Sequence, residues 1–440
     1  MKKVLIITYY WPPSGGSGVQ RCLYFAKHLR SFGWEPVIYT VSNGEYPAID
    51  ESLEKEIPEG IEVIKTPIWE PYGLYKKFTG QKKDKKLKPL LVTEKKERQL
   101  AHKISTWIRG NFFIPDARKF WIKPSIKFLK NYLKENPVDV IFSSNPPQSV
   151  HLIGLALKET FDLPWIADFR DPWTKISYYN DLMLTNWADN KHKALEKAVL
   201  NKADIVTTVS WSCKTGFQSI VDRKIEVITN GFEDSMIFPD VPKKSDQFLI
   251  SYTGTLSRDR NPIKIWEGLK ELVEEQPALR DKLKLQFIGN IDDSVFETLA
   301  TLGLSSLVNR IGYVSHSKVF EYLAGSDLLL LIGIPNDPGV LTGKLFEYLF
   351  SKKPILSIGP KGGDIERILA EIGAGINVDF EEKNSFKKAL SHYLNSPPQA
   401  PENLTNQLQK YTRKSLTQQL ATQLDLLANK HQATSASSSA

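Results

Sequence analysis

The segment Leu328 to Gly359 limits the possible folds more than any other stretch of the chain. Leu328-Leu-Leu-Leu-Ile332 is an unbroken aliphatic run bounded by Asp327 and Gly333, the pattern of a strand covered on both faces. A turn-rich loop follows, Gly333 to Gly339, with Pro335, Asn336, Asp337 and Pro338. Thr342 is placed to cap a helix over 343–350, Pro354 prevents that helix from running on, and 354–358 reads as the next strand. Strands joined through a helix in this way run parallel. A helix that starts beyond the carboxyl end of a parallel strand turns free N–H groups and its positive dipole end toward the loop, which makes a natural anion site. Lys344 adds a cation there, and Glu347, one turn in, is placed to accept hydrogen bonds from sugar hydroxyls. A plain connecting helix with both charges solvated fits the same pattern.

The same alternation fills the chain. Val4-Leu-Ile-Ile7 reads as a buried strand. Gly15-Gly-Ser-Gly18 and a helix with Val19, Leu23, Phe25, Ala26 and Leu29 on its apolar face follow, and 36–41 returns as a strand. The glycines do not fit the G-x-G-x-x-G fingerprint and no acidic residue closes the second strand, which argues against a nicotinamide cofactor. The loop offers backbone N–H groups to a ligand, or is a plain tight turn. Residues 61–64 form a third strand, and Trp69 to Gly110 reads as irregular, basic and aromatic. A helix from Phe120 to Glu135 leads to the strand 138–142, the polar loop 143–147, a helix opened by His151, and the strand 164–168. Asp168, Arg170 and Asp171 then share one loop. Charges clustered beyond a buried strand suit ligand chemistry, and an internal Asp–Arg bridge suits them equally. His151 reads as a helix-start residue or a catalyst. A helix 190–202 and strands at 204–209 and 225–228 close the first half. Phe232 to Gln247, with Pro239 and Pro242, reads as an interdomain linker. The second half repeats the pattern from the strand 248–252, and Gly254-Thr-Leu-Ser-Arg258-Asp-Arg260 follows it.

At 440 residues the chain is too long for one ordinary core, so two domains are expected. Two cysteines, Cys22 and Cys213, make no disulfide framework, which suits a reducing cytoplasm. The apolar start breaks at Tyr9-Tyr10 and lacks a small-residue cleavage site, so it does not read as a signal peptide. No run of about 18 apolar residues exists to span a bilayer. The net charge of +8 is local: from Lys76 to Lys103 eleven Lys or Arg face three acids, an excess equal to that of the whole chain. Such a block beside Trp69, Tyr72, Tyr75, Phe78, Trp107, Phe112 and Phe113 suits an anionic membrane surface, or packs as a substrate loop on its own domain. Nucleic acid as partner would rest on charge alone, because no binding motif is present.

Gly15-Gly-Ser-Gly18, Ala167-Asp-Phe-Arg-Asp-Pro-Trp173, Thr229-Asn-Gly-Phe232, Gly254-Thr-Leu256 and the stretch Gly343 to Ile355, in this order and spacing, resemble family 4 of the nucleotide-sugar glycosyltransferases, which have the GT-B fold. The resemblance covers most of the chain and is weakest from Trp69 to Gly110. It implies an α/β protein of two Rossmann-like parallel-sheet domains facing a cleft. Residues 1–232 would be the acceptor side with the insertion 69–110, and 233–412 the donor-nucleotide domain. Residues 413–432 would be a C-terminal helix with the option of packing back on the first domain, and 433–440 a disordered tail. The implied activity is transfer of a hexosyl group from a nucleotide-sugar to a glycan or lipid-linked acceptor in cell-surface polysaccharide synthesis, with retention and without metal or other cofactor. The expected place is the cytoplasm, with peripheral contact at the inner membrane face as an option.

Residue by residue, the resemblance places Glu347 on the donor ribose, amides from Thr342 through Lys344 to Leu345 on the diphosphate, and Val314 beside the base. Arg260, with Arg258, would neutralise the leaving nucleoside diphosphate, and Gly15 and Gly16 would close over the donor from the other side. Asp168 and Arg170 would orient or deprotonate the acceptor, and Lys82, Lys83, Lys85 and Lys86 would meet a membrane or the acceptor. Three positions depart from the family pattern. Its first acidic residue falls on Gly339, its Arg after the glycine of the donor-domain first strand is Thr255, and its first-domain His has Asp168 and Arg170 instead. A nucleotide-sugar epimerase, or a degenerate nucleotide-sugar-binding protein, is the alternative on the same scaffold.

Overall fold

The computed structural model describes residues 1–70, 96–233, 238–239, 246–395 and 403–438. They divide into two compact units, Met1–Thr229 with Leu416–Ala440, and Asn230–Ser415.

The first unit is built on seven parallel strands, β1 (Lys2–Ile7), β2 (Trp34–Val41), β3 (Glu62–Thr66), β4 (Val140–Asn145), β5 (Trp165–Phe169), β6 (Ile205–Thr208) and β7 (Glu226–Val227), in the order β3-β2-β1-β4-β5-β6-β7. Alternate residues of a strand point to opposite faces, and β1 shows it. Leu5 and Ile7 pack with Trp121 and Leu129 of the helix Lys119–Glu135, whereas Val4 and Ile6 pack with Val19, Leu23 and Ala26 of the helix Ser17–Leu29. Leu416, Leu420 and Leu424 of the C-terminal helix Arg413–Ser438 join that second layer. Lys2 bridges to Asp425 at 2.5 Å.

Three expectations are corrected in this unit, and one helix is added. The last part of the stretch read as irregular, Trp69 to Gly110, is the helix Lys96–Phe112. Ser143, Ser144 and Asn145 are buried strand residues rather than a loop, because their side chains find buried partners across the sheet. A helix at Trp211–Gln218, capped by Ser210 onto the Cys213 N–H, was not visible in the sequence. The tail read as disordered from Ala433 continues the preceding helix through Ser438.

The second unit has six parallel strands, β8 (Phe248–Thr253), β9 (Leu283–Ile288), β10 (Val308–Ile311), β11 (Leu328–Ile332), β12 (Ile355–Ile358) and β13 (Gly375–Val378), in the order β10-β9-β8-β11-β12-β13. Every residue of β11 is buried, as its unbroken aliphatic run requires. The segment read as a linker starts tied down: the Phe232 N–H donates to the Tyr411 carbonyl at 3.1 Å and the Arg413 N–H to the Phe232 carbonyl at 2.9 Å.

In each sheet the strand order reverses once, at β1/β4 and at β8/β11. Open parallel sheets bind ligands at such a reversal, beyond the carboxyl ends of the strands.

Candidate functional site

Beyond β8 the chain turns at Gly254, whose φ of +98° suits glycine, and a Cβ there would lie 3.2 Å from Lys344 Cδ. Lys344 is the second residue of the helix Gly343–Phe350. Its Nζ lies 4.4 Å from the centroid of the Tyr252 ring and donates to the Tyr252 hydroxyl at 2.7 Å. The hydroxyl in turn donates to the Thr255 carbonyl at 2.7 Å. Burial pushes the Lys344 ammonium down to about 7, nearby Arg260 acts in the same direction, and Glu347 opposes them. A diphosphate would restore the lost charge.

Arg260 closes the 3-10 turn Arg258–Arg260 and reaches across to β11, where Nε donates to the Gly333 carbonyl at 2.9 Å and Nη2 to the Ile332 carbonyl. It therefore ties the loop after β8 to the loop after β11, and supplies its charge from a fixed place. Arg258 is exposed, and its charge is felt by Asp292. The helix Gly343–Phe350 is anchored by wholly buried Tyr348, whose hydroxyl accepts the Thr253 N–H at 2.9 Å. Thr342 occupies the N-cap position without capping, and its buried Oγ1 has no partner among the described residues. Of the amides assigned to a diphosphate, that of Leu345 is committed to the Thr342 carbonyl at 3.1 Å. The first amides of a helix lack intrahelical partners, which leaves Gly343 and Lys344. Nothing lies within 4 Å of where a Gly343 side chain would start. Glu347 is half-buried on the same helix. Val314 lies beyond β10, two strands from β8, next to Tyr313, which is 90% exposed.

In the first unit, Gly15 is buried with its N–H donated to the Ala48 carbonyl at 2.9 Å. Gly16 precedes the helix Ser17–Leu29 at φ 88°, ψ −178°, a conformation open only to glycine, with free space around it. Asp168, expected to face an acceptor, is instead buried and ion-paired. It lies within β5 at 0% exposure, and its carboxylate accepts Arg21 Nε at 2.9 Å, Arg21 Nη2 at 2.8 Å, Ser144 Oγ at 2.7 Å and Thr207 Oγ1 at 2.7 Å. Burial raises its pKa, but Arg21 and the two hydroxyls outweigh that and hold the carboxyl below its ordinary value. Arg170 is likewise spent on structure: it donates to the carbonyls of Asn145, Gly18 and Pro146, which fixes the glycine loop against the end of β4. The internal-bridge alternative holds in spirit, with Arg21 as the partner; a lone Arg on the first helix carried no signal for it. His151 is wholly buried, Nδ1 lies 2.8 Å from Ser143 Oγ, and burial pushes its pKa down to about 3, so it stays neutral in the core.

Asp171, by contrast, is half-buried just beyond β5. Tyr178, 52% exposed, has its pKa raised by burial and then by Asp171, with Arg109 opposing and Tyr10 adding. These four side chains thus share one neighbourhood. Lys82, Lys83, Lys85 and Lys86 lie outside the described residues. Among the described residues, no group of three or more His, Cys, Asp or Glu side chains is placed to hold a metal ion.

Two parallel sheets of seven and six strands, each with its glycine loop and strand reversal, define a GT-B fold. A glycosyltransferase from Rickettsia africae superposes with TM-score 0.63 at 15% identity, covering 97% of this chain and 98% of that one. Sucrose-phosphate synthase from Thermosynechococcus elongatus gives 0.61 at 13%, covering 97% and 99%. The lipopolysaccharide outer core galactosyltransferase WaaB gives 0.58 at 12%, covering 95% and 97%. A search of curated proteins finds no match. Residues 83–235 match Glycosyltransferase Family 4. The chain thus has the GT-B fold, and over residues 83–235 it is similar to glycosyltransferase family 4.

Proposed function

We propose that this chain is a glycosyltransferase that moves a hexosyl group from a nucleotide-sugar, held in the second unit, to a glycan or lipid-linked acceptor held in the first, in the synthesis of a cell-surface polysaccharide. One observation carries the donor part: Lys344, Arg260 and the open first amides of the helix Gly343–Phe350 converge at the β8/β11 reversal. As the sugar leaves, negative charge grows on the diphosphate, and fixed cations and N–H dipoles stabilise it where it develops. On this reading Lys344 supplies the charge that the family draws from an Arg at the position of Thr255, and no metal is needed. Glu347 takes the ribose hydroxyls, and Val314 lies beside the base. Gly15 and Gly16 admit the donor close to the backbone, and the same leaving phosphate assists the incoming hydroxyl from one face, giving retention.

For the acceptor, Asp171 replaces Asp168 as the carboxylate that orients the incoming hydroxyl, because it is the one left within reach of solvent. The cell-surface part is supported by the likeness in fold to WaaB, and a lipid-linked acceptor by the basic run that includes Lys82, Lys83, Lys85 and Lys86. Vesicle binding unchanged after those four are neutralised would remove the basic run from this reading.

Calorimetric titration of UDP-, GDP- and ADP-sugars tests the whole. One of them binds wild type and is lost in Lys344→Met. Binding of none, or binding indifferent to Lys344, overturns the donor site. Release of free nucleotide only when an acceptor is present separates transfer from epimerisation, which needs no acceptor.

A further inference from the structure

The helix Lys96–Phe112 is inside out. A surface helix ordinarily turns its apolar stripe to the core. Here Ile104, Trp107, Ile108 and Phe112, at spacings of three and four, are 51%, 39%, 40% and 60% exposed, whereas Gly110 and Asn111 are buried. The orientation is locked. A side chain at Gly110 would begin 2.7 Å from Leu184 Cδ2 and 3.0 Å from the Leu182 carbonyl. Asn111 Nδ2 donates to the Met183 carbonyl at 3.2 Å, and Oδ1 accepts the Thr185 N–H at 2.7 Å. Rotating the stripe inward would break both bonds and drive side chains into Leu182 and Leu184.

The exposed stripe continues onto neighbouring elements. The Trp107 and Phe112 rings are 5.7 Å apart, and Lys119 Nζ donates to the Phe112 carbonyl at 2.6 Å. Lys119 also sits 5.2 Å from the Phe120 ring, which meets Trp69 edge-on at 4.7 Å. Lys191 is close enough to depress the Lys119 pKa, after burial, and lies 4.9 Å from the ring of Trp187, itself 63% exposed. Exposed Lys103 and Arg109 flank the stripe. Indole and phenyl rings with lysines set among them are the composition of a surface that rests in the headgroup layer: rings at the acyl boundary, ammonium groups among phosphates.

We propose that this face, made of Ile104, Trp107, Ile108, Phe112, Trp69, Phe120 and Trp187 with the collar Lys103, Lys119 and Lys191, is a monotopic docking surface for an anionic lipid bilayer. The charge decides for lipid over a second copy of the chain, since two such faces would bring their lysines together. The surface rests on the proposed function only in that a lipid-borne acceptor gives the contact a purpose.

Sedimentation of the full chain with equimolar phosphatidylglycerol and phosphatidylcholine vesicles, against phosphatidylcholine alone, tests it, without donor or acceptor present. Binding is expected with the anionic vesicles and falls as salt rises. The double variant Trp107→Glu/Ile108→Glu should lose at least about ten-fold in partition, and Lys103→Gln and Lys191→Gln about five-fold each. Nucleotide-sugar calorimetry on the same variants, unchanged from wild type, shows the fold is intact and keeps failure of this surface distinct from failure of the donor site. Absence of wild-type binding, or binding unaltered in the double variant, overturns the proposal. So does a dimer by light scattering that the double variant converts to monomer, because the face would then be covered by a second copy.

Discussion

The Lys344 ammonium and the Tyr252 hydroxyl are 2.7 Å apart at the β8/β11 reversal, a cation held over an aromatic ring. Burial, and then Arg260, lower the Lys344 pKa to about 7. The bound diphosphate stabilises the charged form, so binding above that pH draws a proton from solution. Donor affinity should therefore be level below pH about 7 and fall by up to about ten-fold per pH unit above it. A nucleotide-sugar has no phosphate titrating in that range, so the effect reads out Lys344. Titration at pH 8 in two buffers of different ionisation enthalpy measures the proton uptake; equal apparent enthalpies would sink the idea.

The same residue should weaken the empty protein. Between about 7 and the ordinary lysine value of 10.5 the unfolded chain binds the Lys344 proton and the folded chain does not. Stability attributable to this group thus rises with pH across that window. Lys344→Met removes the penalty, so it should raise the melting temperature at pH 7 by a few degrees, roughly 2–4 °C for each kcal/mol recovered, while donor binding disappears. Differential scanning calorimetry beside the donor titration checks both halves, and a lowered melting temperature would contradict the first.

Glu347 shares a helix with Lys344 and is half-buried. Glu347→Ala should cost roughly 1–3 kcal/mol of donor affinity, the order for a hydrogen bond to a charged group. Isothermal titration with the preferred nucleotide-sugar measures it directly. An unchanged dissociation constant would take Glu347 out of the donor site.

Asp168 and Arg21 form a buried ion pair whose carboxylate accepts two further hydroxyls. Arg21→Met leaves that carboxylate without its cation and should destabilise the first unit by about 3–5 kcal/mol. The Asp168 pKa is depressed in the folded state, so the stability it contributes is present above the ordinary carboxylate value and is lost as pH falls through its folded value. The variant should therefore lose part of the acid sensitivity of the wild type. Urea unfolding at pH 7 and pH 4 tests both statements. If Asp168→Asn kept full stability and lost only turnover, Asp168 would return as an acceptor-contacting group.

The sequence by itself determined the strand–helix alternation, the parallel sheets and the helix Gly343–Phe350 with Lys344 and Glu347 on it, because these follow from local periodicity and from residues such as Pro354 that act on their own backbone. It also carried the family resemblance through its glycine loops. Only the tertiary structure decided which charges are free to act. Asp168 and Arg170 read as reactive because their partners, Arg21 and the carbonyl of Gly18, are about 150 positions away in the chain, and a buried charge is defined by its distant neighbour. Lys344 gained its lowered pKa from burial and then from Arg260, through the meeting of β8 and β11, which no local pattern foretells. The outward stripe of the helix Lys96–Phe112 was hidden for the same reason: a helical period reports that one face is apolar, whereas Gly110 and Asn111, by what they pack against, determine which way that face turns.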